Sequence, residues 1–346
     1  MSTAQMQPGG FAEVSPAPIF DTTFSFVQTR VLATAIDLDL FTPIKHGART
    51  IEALSSATGY PLRGLRILLN ALVAMRYLEK DEGHYALTPV AARFLTKDSP
   101  QYLGDFVTVT YDHPRMRRIW DGVSEVVRTG RRPGGPESVD DEAEFFSQLV
   151  NPLYVSSRAA ADVAAQALCD SRPQGLRVLD LGAGSGVWSL AVAQRDPRAH
   201  VTVVDWPQVV EKSTKRFAQR ERVDDRYDYL PGDFRQVDFG ETQYDVALLG
   251  YICHGQGERR IGDLFARIHR ALRPGGRLLI AELMPDDQRK TAFMPLMFAV
   301  LMLAETDEGD TFTFQEYREW LEAAGFQDIR TIDAPGPSPL ILAMKA

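Results

Sequence analysis

The sequence has few cysteines and no excess of basic residues, and each absence excludes a class of protein. Two cysteines, Cys169 and Cys253, occur in 346 residues, which is too few for the disulfide framework of a small secreted protein. A reducing, cytoplasmic location is therefore expected. Lysine and arginine total 38 against 46 for aspartate and glutamate, giving a formal charge of −8. This balance argues against a nucleic-acid or anionic-membrane partner.

The sequence also lacks a long apolar run and a secretory leader. Its start, MSTAQMQPGGFAEVSPAP, has no basic segment followed by an apolar core. The Pro, Gly, Ser and Gln content predicts a mobile tail over residues 1–18. The longest apolar stretch, residues 291–304, is too short to span a bilayer and contains Pro295. We expect a soluble protein with no membrane partner.

Residues 19–100 have the periodicity of helices. Apolar residues recur at three- and four-residue spacing over 24–41, which predicts an amphipathic helix. Thr50 stands where a helix N-cap is needed, and Gly59 stands at the C-cap position of the same short helix. After a second, longer helix, the segment around residues 81–83 predicts a hairpin. Helix, helix and hairpin in this order indicate a winged-helix unit.

A winged helix serves either DNA binding or packing between protein subunits. Arg63 and Arg66 lie on its second helix, but Glu79, Asp81 and Glu82 surround the hairpin. Phosphate contacts require a basic face, which this hairpin does not supply. The charge pattern therefore favours a packing or dimerisation module and leaves a transcriptional regulator as the less favoured alternative.

The pattern changes along the rest of the chain. Residues 101–170 are mostly helical in pattern, with a Gly- and Pro-rich break at residues 129–137. From 171 to 346, short apolar runs alternate with amphipathic segments, which predicts an α/β domain with a doubly wound, largely parallel sheet. The predicted strands are RVLDLG, HVTVVD, YDVALLGY, GRLLIAEL and PLILAMKA.

The strongest local motif is VLDLGAGSG, a buried strand that ends in Gly182, Gly184 and Gly186. Glycines allow a sharp turn and a close approach of the backbone to a ligand. Asp205 ends the next predicted strand, where an acid binds the ribose hydroxyls of a nucleoside. The combination makes a purely structural turn an unlikely explanation and predicts a nucleoside cofactor.

The spacing of this motif separates two cofactors. Dinucleotide sites have G-x-G-x-x-G, opening the first βα unit of the chain. Here the spacing is G-x-G-x-G, Asp180 stands two residues before the first glycine, and a helical domain precedes the motif. S-adenosylmethionine carries an ammonium and a sulfonium but no pyrophosphate, so an acid-bearing strand end suits it better.

Five segments in order, DLGAGSG, VDWPQVV, PGDF, YICH and LRPGGRLLIAE, resemble the motifs of class I O-methyltransferases of the plant caffeate/flavonoid type. Bacterial natural-product and pigment methyltransferases share this pattern. AIDLDLF and LRILLNALVAMRYLE resemble the N-terminal winged-helix dimerisation domain of the same family. The resemblance runs from about residue 20 to the end. It implies a Rossmann-like catalytic domain, S-adenosylmethionine as cofactor and a homodimer.

The resemblance also assigns residues to the cofactor. The glycines would line the methionine and ribose, and Asp205 would bind the ribose hydroxyls. Asp233 would accept from the adenine amino group while Phe234 covers the ring, although a turn residue and a core residue are the alternatives. The full set is Asp180, Gly182, Gly184, Gly186, Asp205, Asp233, Phe234 and Tyr251.

Methyl transfer to a hydroxyl calls for a base, because an unperturbed phenol has a pKa of about 10. Of six histidines, His254 is the one that follows an apolar strand of the α/β half at its carboxyl end. That strand is expected beside the glycine-loop strand, at the switch point where ligands bind. His254 is therefore the candidate base, with a histidine that only hydrogen-bonds in the loop as the alternative.

In the resembling family the residue after Ile-Cys is the base, and two glutamates orient its ring. Glu282 matches one of them, but Thr311 stands at the other position, with Asp310 beside it. Gly255 and Gln256 follow the histidine where the family has Asp and Trp. These departures leave C- or N-methylation, or non-methylating use of the same cofactor, as alternatives.

An aromatic and methionine-rich helix follows Glu282 and is expected to contact an apolar acceptor, although ordinary core is the alternative reading. Tyr111 and His113 fall where the middle helices of the family contribute polar contacts. No metal-binding set of acids is apparent. The predicted pocket residues are Tyr111, His113, Phe293, Met294, Met297, Phe298 and Met302.

Together these features predict an S-adenosylmethionine-dependent O-methyltransferase with His254 and Glu282 as catalytic residues. The expected acceptor is a hydroxyl of a small aromatic or polyketide-like secondary metabolite. An inactive structural partner on the same fold is a further alternative.

Overall fold

The computed structural model describes residues 14–132, 139–170 and 174–346. Two compact units divide between Tyr111 and Asp112. The described residues contain no helix that is both long enough and apolar enough to cross a bilayer.

The N-terminal unit is mainly helical and carries one two-stranded antiparallel sheet. Its elements are α1 Ala17–Asp37, α2 Phe41–Lys45, α3 Ile51–Thr58, α4 Leu62–Ala74, β1 Leu78–Asp81, β2 His84–Leu87, α5 Pro89–Phe94 and α6 Gly104–Asp112. The predicted order of helix, helix and hairpin is present as α3, α4 and β1–β2. That this unit is a winged helix stays a prediction.

Local sequence explains where α3 begins and ends. The Thr50 hydroxyl accepts a hydrogen bond from the Ala53 amide, which satisfies a donor that the first turn leaves free. Gly59 ends the helix with a φ of 76°, a left-handed conformation that glycine adopts without steric cost. Both caps agree with the sequence prediction.

Helix α1 differs from the expectation in two ways. It begins at Ala17, inside the predicted tail, whose residues 1–13 lie outside the described chain. Its C-terminal part is buried at Ala35 and Ile36, whereas the apolar side chains of Phe20 and Phe24 are each 59% exposed. The described residues therefore do not cover the predicted apolar stripe along most of the helix.

The C-terminal unit contains the α/β domain. Its elements are α7 Pro114–Thr129, α8 Val139–Cys169, β3 Arg177–Leu181, α9 Val187–Arg195, β4 His200–Asp205, α10 Pro207–Val209, α11 Lys215–Arg220, β5 Tyr227–Pro231, β6 Tyr244–Gly250, α12 Glu258–Ala271, β7 Leu272–Ala281, α13 Phe293–Glu305, α14 Phe314–Ala323, β8 Phe326–Ile332 and β9 Leu340–Lys345. The predicted break at 129–137 lies mostly outside the described residues, although Gly130 ends α7 in a left-handed conformation.

The seven-stranded sheet has the order β5-β4-β3-β6-β7-β9-β8. The strands from β5 to β7 are parallel, and β9 runs antiparallel to both β7 and β8. The predicted doubly wound, largely parallel α/β architecture is confirmed. Strand β3 lies between β4 and β6, so the chain order reverses there, which is where ligands bind in such sheets.

Burial explains which strands the sequence revealed. Strand β3 is buried on both faces, with Leu179 and Leu181 on one side and Val178 on the other. Such strands read as continuous apolar runs. The strands β5 and β8 lie at the two edges and are largely exposed, so their sequences lack an apolar run and were not predicted.

The buried position of Leu179 makes a test of this core. Leu179→Ala is expected to lower the free energy of unfolding by about 2 to 5 kcal/mol, because the strand cannot close the cavity. Urea unfolding without cofactor, followed by intrinsic fluorescence, measures the change. All four tryptophans lie in the C-terminal unit, so the signal reports on that unit.

Leu230→Ala is the matched control, since Leu230 is 39% exposed on the edge strand β5. Its cost is expected to stay below about 1 kcal/mol. Equal destabilisation by the two substitutions would contradict the proposed core.

Candidate active site

The loop after β3 is built from left-handed glycines. Gly182, Gly184 and Gly186 have φ values of 62°, 56° and 73°. A Cβ at Gly182 would meet the δ-methyl of Ile252 at 2.2 Å, whereas a Cβ at Gly184 would have nothing within 4 Å. The loop is therefore packed against Ile252 at Gly182, whereas at Gly184 its backbone faces open space.

Asp205, at the end of β4, holds this loop. One carboxylate oxygen accepts from the Gly184 amide at 2.8 Å, and the other accepts from the Trp206 amide at 2.7 Å. The Thr214 hydroxyl, from a π-helical turn at Val210–Thr214, donates to the Gly184 carbonyl. Burial raises the pKa of Asp205 to about 6, against the effect of the two amides.

Asp180 is a buried acid within the same strand end. Its Oδ2 accepts from the Ser189 hydroxyl at 2.5 Å, and the Tyr227 hydroxyl donates to Ser189 in turn. Its Oδ1 is buried and has no hydrogen-bond partner among the described residues. Burial raises the pKa of Asp180 to about 7. A buried acceptor with unused capacity suits a site whose remaining donor comes from a ligand.

His254 follows β6 after a sharp change of direction. Tyr251 has a φ of 59°, and a 3₁₀ turn at Cys253–Gly255 carries the histidine. Strand β7 lies parallel to β6, so both carboxyl ends meet at the same edge of the sheet. Glu282 directly follows β7, and this topology places it next to His254.

The Glu282 carboxylate holds both the ring and the backbone of the histidine. Its Oε2 is 2.8 Å from His254 Nδ1, while its Oε1 accepts from the amides of Cys253 at 2.6 Å and His254 at 3.3 Å. The Glu282 side chain is 1% exposed, whereas that of His254 is 18% exposed. Because Nδ1 faces the carboxylate, it carries the proton, and Nε2 is left with a free lone pair in the neutral ring.

The surroundings of His254 favour its protonated form. Burial alone would lower its pKa, but the charge and hydrogen bond of Glu282, together with the field of Glu305, raise the pKa above its usual value. The Phe298 ring lies edge-on to the imidazole at 5.0 Å between centroids. A partly buried, oriented imidazole with a raised pKa is suited to accept a proton near neutral pH.

Thr311 stands where the resembling family has its second orienting glutamate. The buried Thr311 hydroxyl donates to the carbonyl of Pro295, so it is directed to α13 rather than to the imidazole. The Asp310 carboxylate accepts from the Thr311 amide, and the Asp310 amide donates to the His254 carbonyl at 3.0 Å. This segment therefore contacts the histidine backbone and not its ring.

The two residues predicted for adenine have other partners as well. Asp233 forms an ion pair with Arg235 at 2.8 Å. Phe234 is half-buried against the core, and its carbonyl accepts from Arg267. Their roles toward a cofactor stay predictions.

The predicted acceptor residues do not form one cluster. On α13, Phe298 contacts His254, and Met302 is 3% exposed in the core, while Phe293, Met294 and Met297 are 72%, 56% and 46% exposed. Contact of this helix with an apolar acceptor stays a prediction.

The two residues predicted on the middle helices have different neighbours. Tyr111 belongs to the N-terminal unit, where it contacts Phe26 and Arg30. His113 caps α7, with Nδ1 accepting from the amide of Arg115, and packs against Phe145. Within the described ranges, no group of three His, Cys, Asp or Glu side chains is arranged to hold a metal.

Sequence reasoning missed several residues at this edge of the sheet. Trp206 follows Asp205 and packs near Phe146 on α8, with 6.5 Å between ring centroids. The indole of Trp188 lies where a Cβ at Gly250 would be. The Asp-Trp-Pro segment was a usable signal for Trp206, since this residue directly follows the acid that is predicted to bind ribose. The α8 contact had no local signal.

The raised pKa of Asp180 predicts a pH-dependent stability. A carboxyl whose pKa rises on folding from 3.8 to about 7 contributes stability below the lower value and loses it as pH rises through the upper one. Asp180→Asn has nearly the shape of the protonated aspartic acid and carries no charge at any pH. The free energy of unfolding of the variant, minus that of the parent protein, is the quantity to compare. This difference is expected to be larger at about pH 8 than at about pH 5, by at least ~1 kcal/mol.

Thermal unfolding of the cofactor-free protein at both pH values measures this effect. Asp228→Asn, at an exposed position on β5, is the control and should follow the parent at each pH. A parent protein that gains stability over Asp180→Asn as pH rises would refute the burial argument.

Comparisons with known proteins agree with this geometry. The O-methyltransferase domain family matches residues 142–327, and the O-methyltransferase dimerisation domain matches residues 20–97. The tetracenomycin polyketide synthesis 8-O-methyl transferase of Streptomyces glaucescens is 30% identical over 338 residues, covering 95% of this chain and 97% of that protein. The 3-hydroxy-5-methyl-1-naphthoate 3-O-methyltransferase of Streptomyces sahachiroi is 28% identical, with 96% of each chain covered.

Among solved structures, human N-acetylserotonin methyltransferase in complex with S-adenosylmethionine has the same fold. Its TM-score is 0.82 at 23% identity, covering 97% of this chain and 99% of that one. The chain belongs to the O-methyltransferase family with an N-terminal dimerisation domain. It is an S-adenosylmethionine-dependent methyltransferase.

Proposed function

We propose that this enzyme methylates a hydroxyl of a small aromatic or polyketide-like metabolite, with His254 as the general base. The observation that carries the proposal is the contact between His254 Nδ1 and Glu282 Oε2 at 2.8 Å. This contact fixes the tautomer that leaves Nε2 as the acceptor of a proton. The partial exposure of the ring leaves it accessible to an acceptor molecule.

The residues at the strand ends fit the cofactor. The bare backbone at Gly184 leaves room for a close ligand, and the carboxylate of Asp205 suits ribose hydroxyls. The unused Oδ1 of Asp180 suits the ammonium of the methionine moiety, directly or through a water molecule. We assign these three residues to binding, with Gly182 and Gly186 shaping the loop.

S-adenosylmethionine supplies an electrophilic methyl group on a positively charged sulfur. The protein has to orient the acceptor oxygen, remove its proton and exclude water. In the proposed reaction His254 Nε2 takes the hydroxyl proton as the oxygen–methyl bond forms. Glu282 keeps the ring in place and stabilises the imidazolium that results.

The acceptor class rests on two observations. The relatives from Streptomyces act on a polyketide and on a naphthoate, as their names state. In this chain the Phe298 ring borders His254, and the aromatic side chains of Phe145 and Phe146 lie near Trp206. A flat, apolar ring against the proposed base favours a flat, apolar acceptor.

We also propose that the enzyme is a homodimer formed through its N-terminal unit. That unit matches an O-methyltransferase dimerisation domain. Four apolar side chains on α1 are more than half exposed, namely Ile19, Phe20, Phe24 and Phe26. A monomer seldom leaves a contiguous apolar surface of this kind uncovered.

Substitution of the base tests the reaction. His254→Ala is expected to lower turnover 10²- to 10⁴-fold, the usual scale for loss of general-base assistance. Affinity for S-adenosylmethionine should stay nearly unchanged. Mass spectrometry of methylated products from a panel of phenolic and polyketide acceptors, together with calorimetric titration of the cofactor, measures both quantities.

Two variants complete this experiment. His200→Ala removes an exposed imidazole at the start of β4 and should leave turnover intact. Asp205→Ala should show the opposite pattern to His254→Ala, with weakened cofactor binding, because the glycine loop loses its anchor. Unchanged turnover in His254→Ala would remove this residue from the mechanism.

The dimer is tested at α1. Phe24→Glu places a charge on the exposed apolar face and should shift the protein toward monomer in light scattering after size exclusion. Asp21→Lys changes the charge on the same helix without removing an apolar side chain and is the control. A monomeric parent protein at micromolar concentration would exclude the proposed assembly.

A further inference from the structure

A second carboxylate, that of Glu305, belongs to the helix that borders His254, and its charge raises the pKa of the imidazole. Glu305 ends α13, the helix that also carries Phe298. The two residues are seven positions apart, close to two turns, so they share one face of the helix. Phe298 contacts the imidazole, and this face therefore lies toward His254.

The Glu305 side chain is itself fixed. Its Oε1 accepts from Arg115 at 2.8 Å, and the two side chains are only 13% and 10% exposed. Arg115 stands in the first turn of α7, with its guanidinium 4.7 Å from the centroid of the Phe145 ring. The Glu305 carbonyl accepts from Arg132. A buried carboxylate held in this way acts as a fixed charge rather than a mobile surface group.

We propose that Glu305, held by its buried ion pair with Arg115, is a positioning residue that acts on the His254 imidazole as a second carboxylate. This inference rests on the proposed role of His254 as base. Glu305 favours the imidazolium through its field, while Glu282 does so through direct hydrogen bonding. Its negative charge thereby replaces the carboxylate that is missing at Thr311, whose hydroxyl donates to the Pro295 carbonyl instead.

Few titratable groups surround His254, so the effect of Glu305 on the pKa of the imidazole can be separated from theirs. Glu282 comes from the end of β7, Glu305 from α13 with Arg115 from α7, and Asp310 from the segment before α14. Cys253 precedes the histidine, and Tyr317 on α14 hydrogen-bonds to its thiol. Burial and the neighbouring Glu282 charge raise the pKa of both Cys253 and Tyr317 well above the ordinary range. These two groups therefore stay neutral near neutral pH, and Glu305 is the carboxylate on α13 that the pKa of His254 reflects.

The direct test is the protonation of His254 in Glu305→Gln. In protein labelled at histidine, the ring signal that disappears in His254→Asn identifies His254 in the NMR titration. Removal of the Glu305 charge is expected to lower the pKa of His254 by about 0.5 to 1. The acidic limb of kcat/KM should move to lower pH by the same amount, because the base loses its proton at a lower pH.

Glu308→Gln is the matched control, since Glu308 lies three residues on and is 54% exposed. It should leave both readouts unchanged. The double variant R115M/E305L replaces the buried pair by apolar side chains of similar length, a change that proteins tolerate well. It keeps the test available if Glu305→Gln folds poorly. The pKa of His254 should fall by less than in Glu305→Gln, because the opposing positive charge of Arg115 is removed as well.

A pKa of His254 that is the same in the parent protein and in the folded Glu305 variants would overturn the proposal. The outcome is independent of the proposed reaction. If His254→Asn retains activity while Glu305→Gln lowers the pKa of His254, the base assignment fails and the electrostatic link stands. If His254→Asn is inactive and that pKa does not move, the base stands and the role of Glu305 fails.

Discussion

The geometry at His254 depends on one buried carboxylate, that of Glu282. Its two oxygens bind two successive amides and the imidazole, so a single group fixes both the turn after β6 and the orientation of the ring. Glu282 reaches this place because β7 pairs in parallel with β6. With the Leu283 amide, this carboxylate has four hydrogen-bond donors, which offset the cost of burying an acid in the core. The fold and the chemistry therefore share the same interaction.

Much of this arrangement could be predicted from the sequence, since its signals are local. Continuous apolar runs revealed the buried strands β3, β4 and β6, and glycine spacing marked the loop. The contact between His254 and Glu282 followed from a family resemblance together with the rule that parallel strand ends meet at one edge. The edge strands β5 and β8 were not predicted, because an exposed strand has no continuous apolar run.

The remaining features arise from tertiary contacts that leave no local pattern. In the sequence, Glu305 does not differ from other acids at helix ends. Its side chain is fixed by Arg115, which is 190 positions away in the chain. The side chains of Phe293 and Phe298 share one apolar segment, yet the first is exposed and the second borders the imidazole. Periodicity identifies an amphipathic helix but not which of its apolar residues meets a ligand.

The left-handed backbone at Tyr251 lies between the strand β6 and His254, the proposed base, and brings this segment against the glycine loop. A non-glycine residue in this conformation carries strain that its surroundings must offset. The kink places the Ile252 δ-methyl in the space that a side chain at Gly182 would need. A side chain at Gly182 would meet this methyl group and would also be strained by the left-handed backbone, whose φ is 62°. The glycine loop and the turn that carries His254 are therefore packed against each other, and a substitution in one alters the packing of the other.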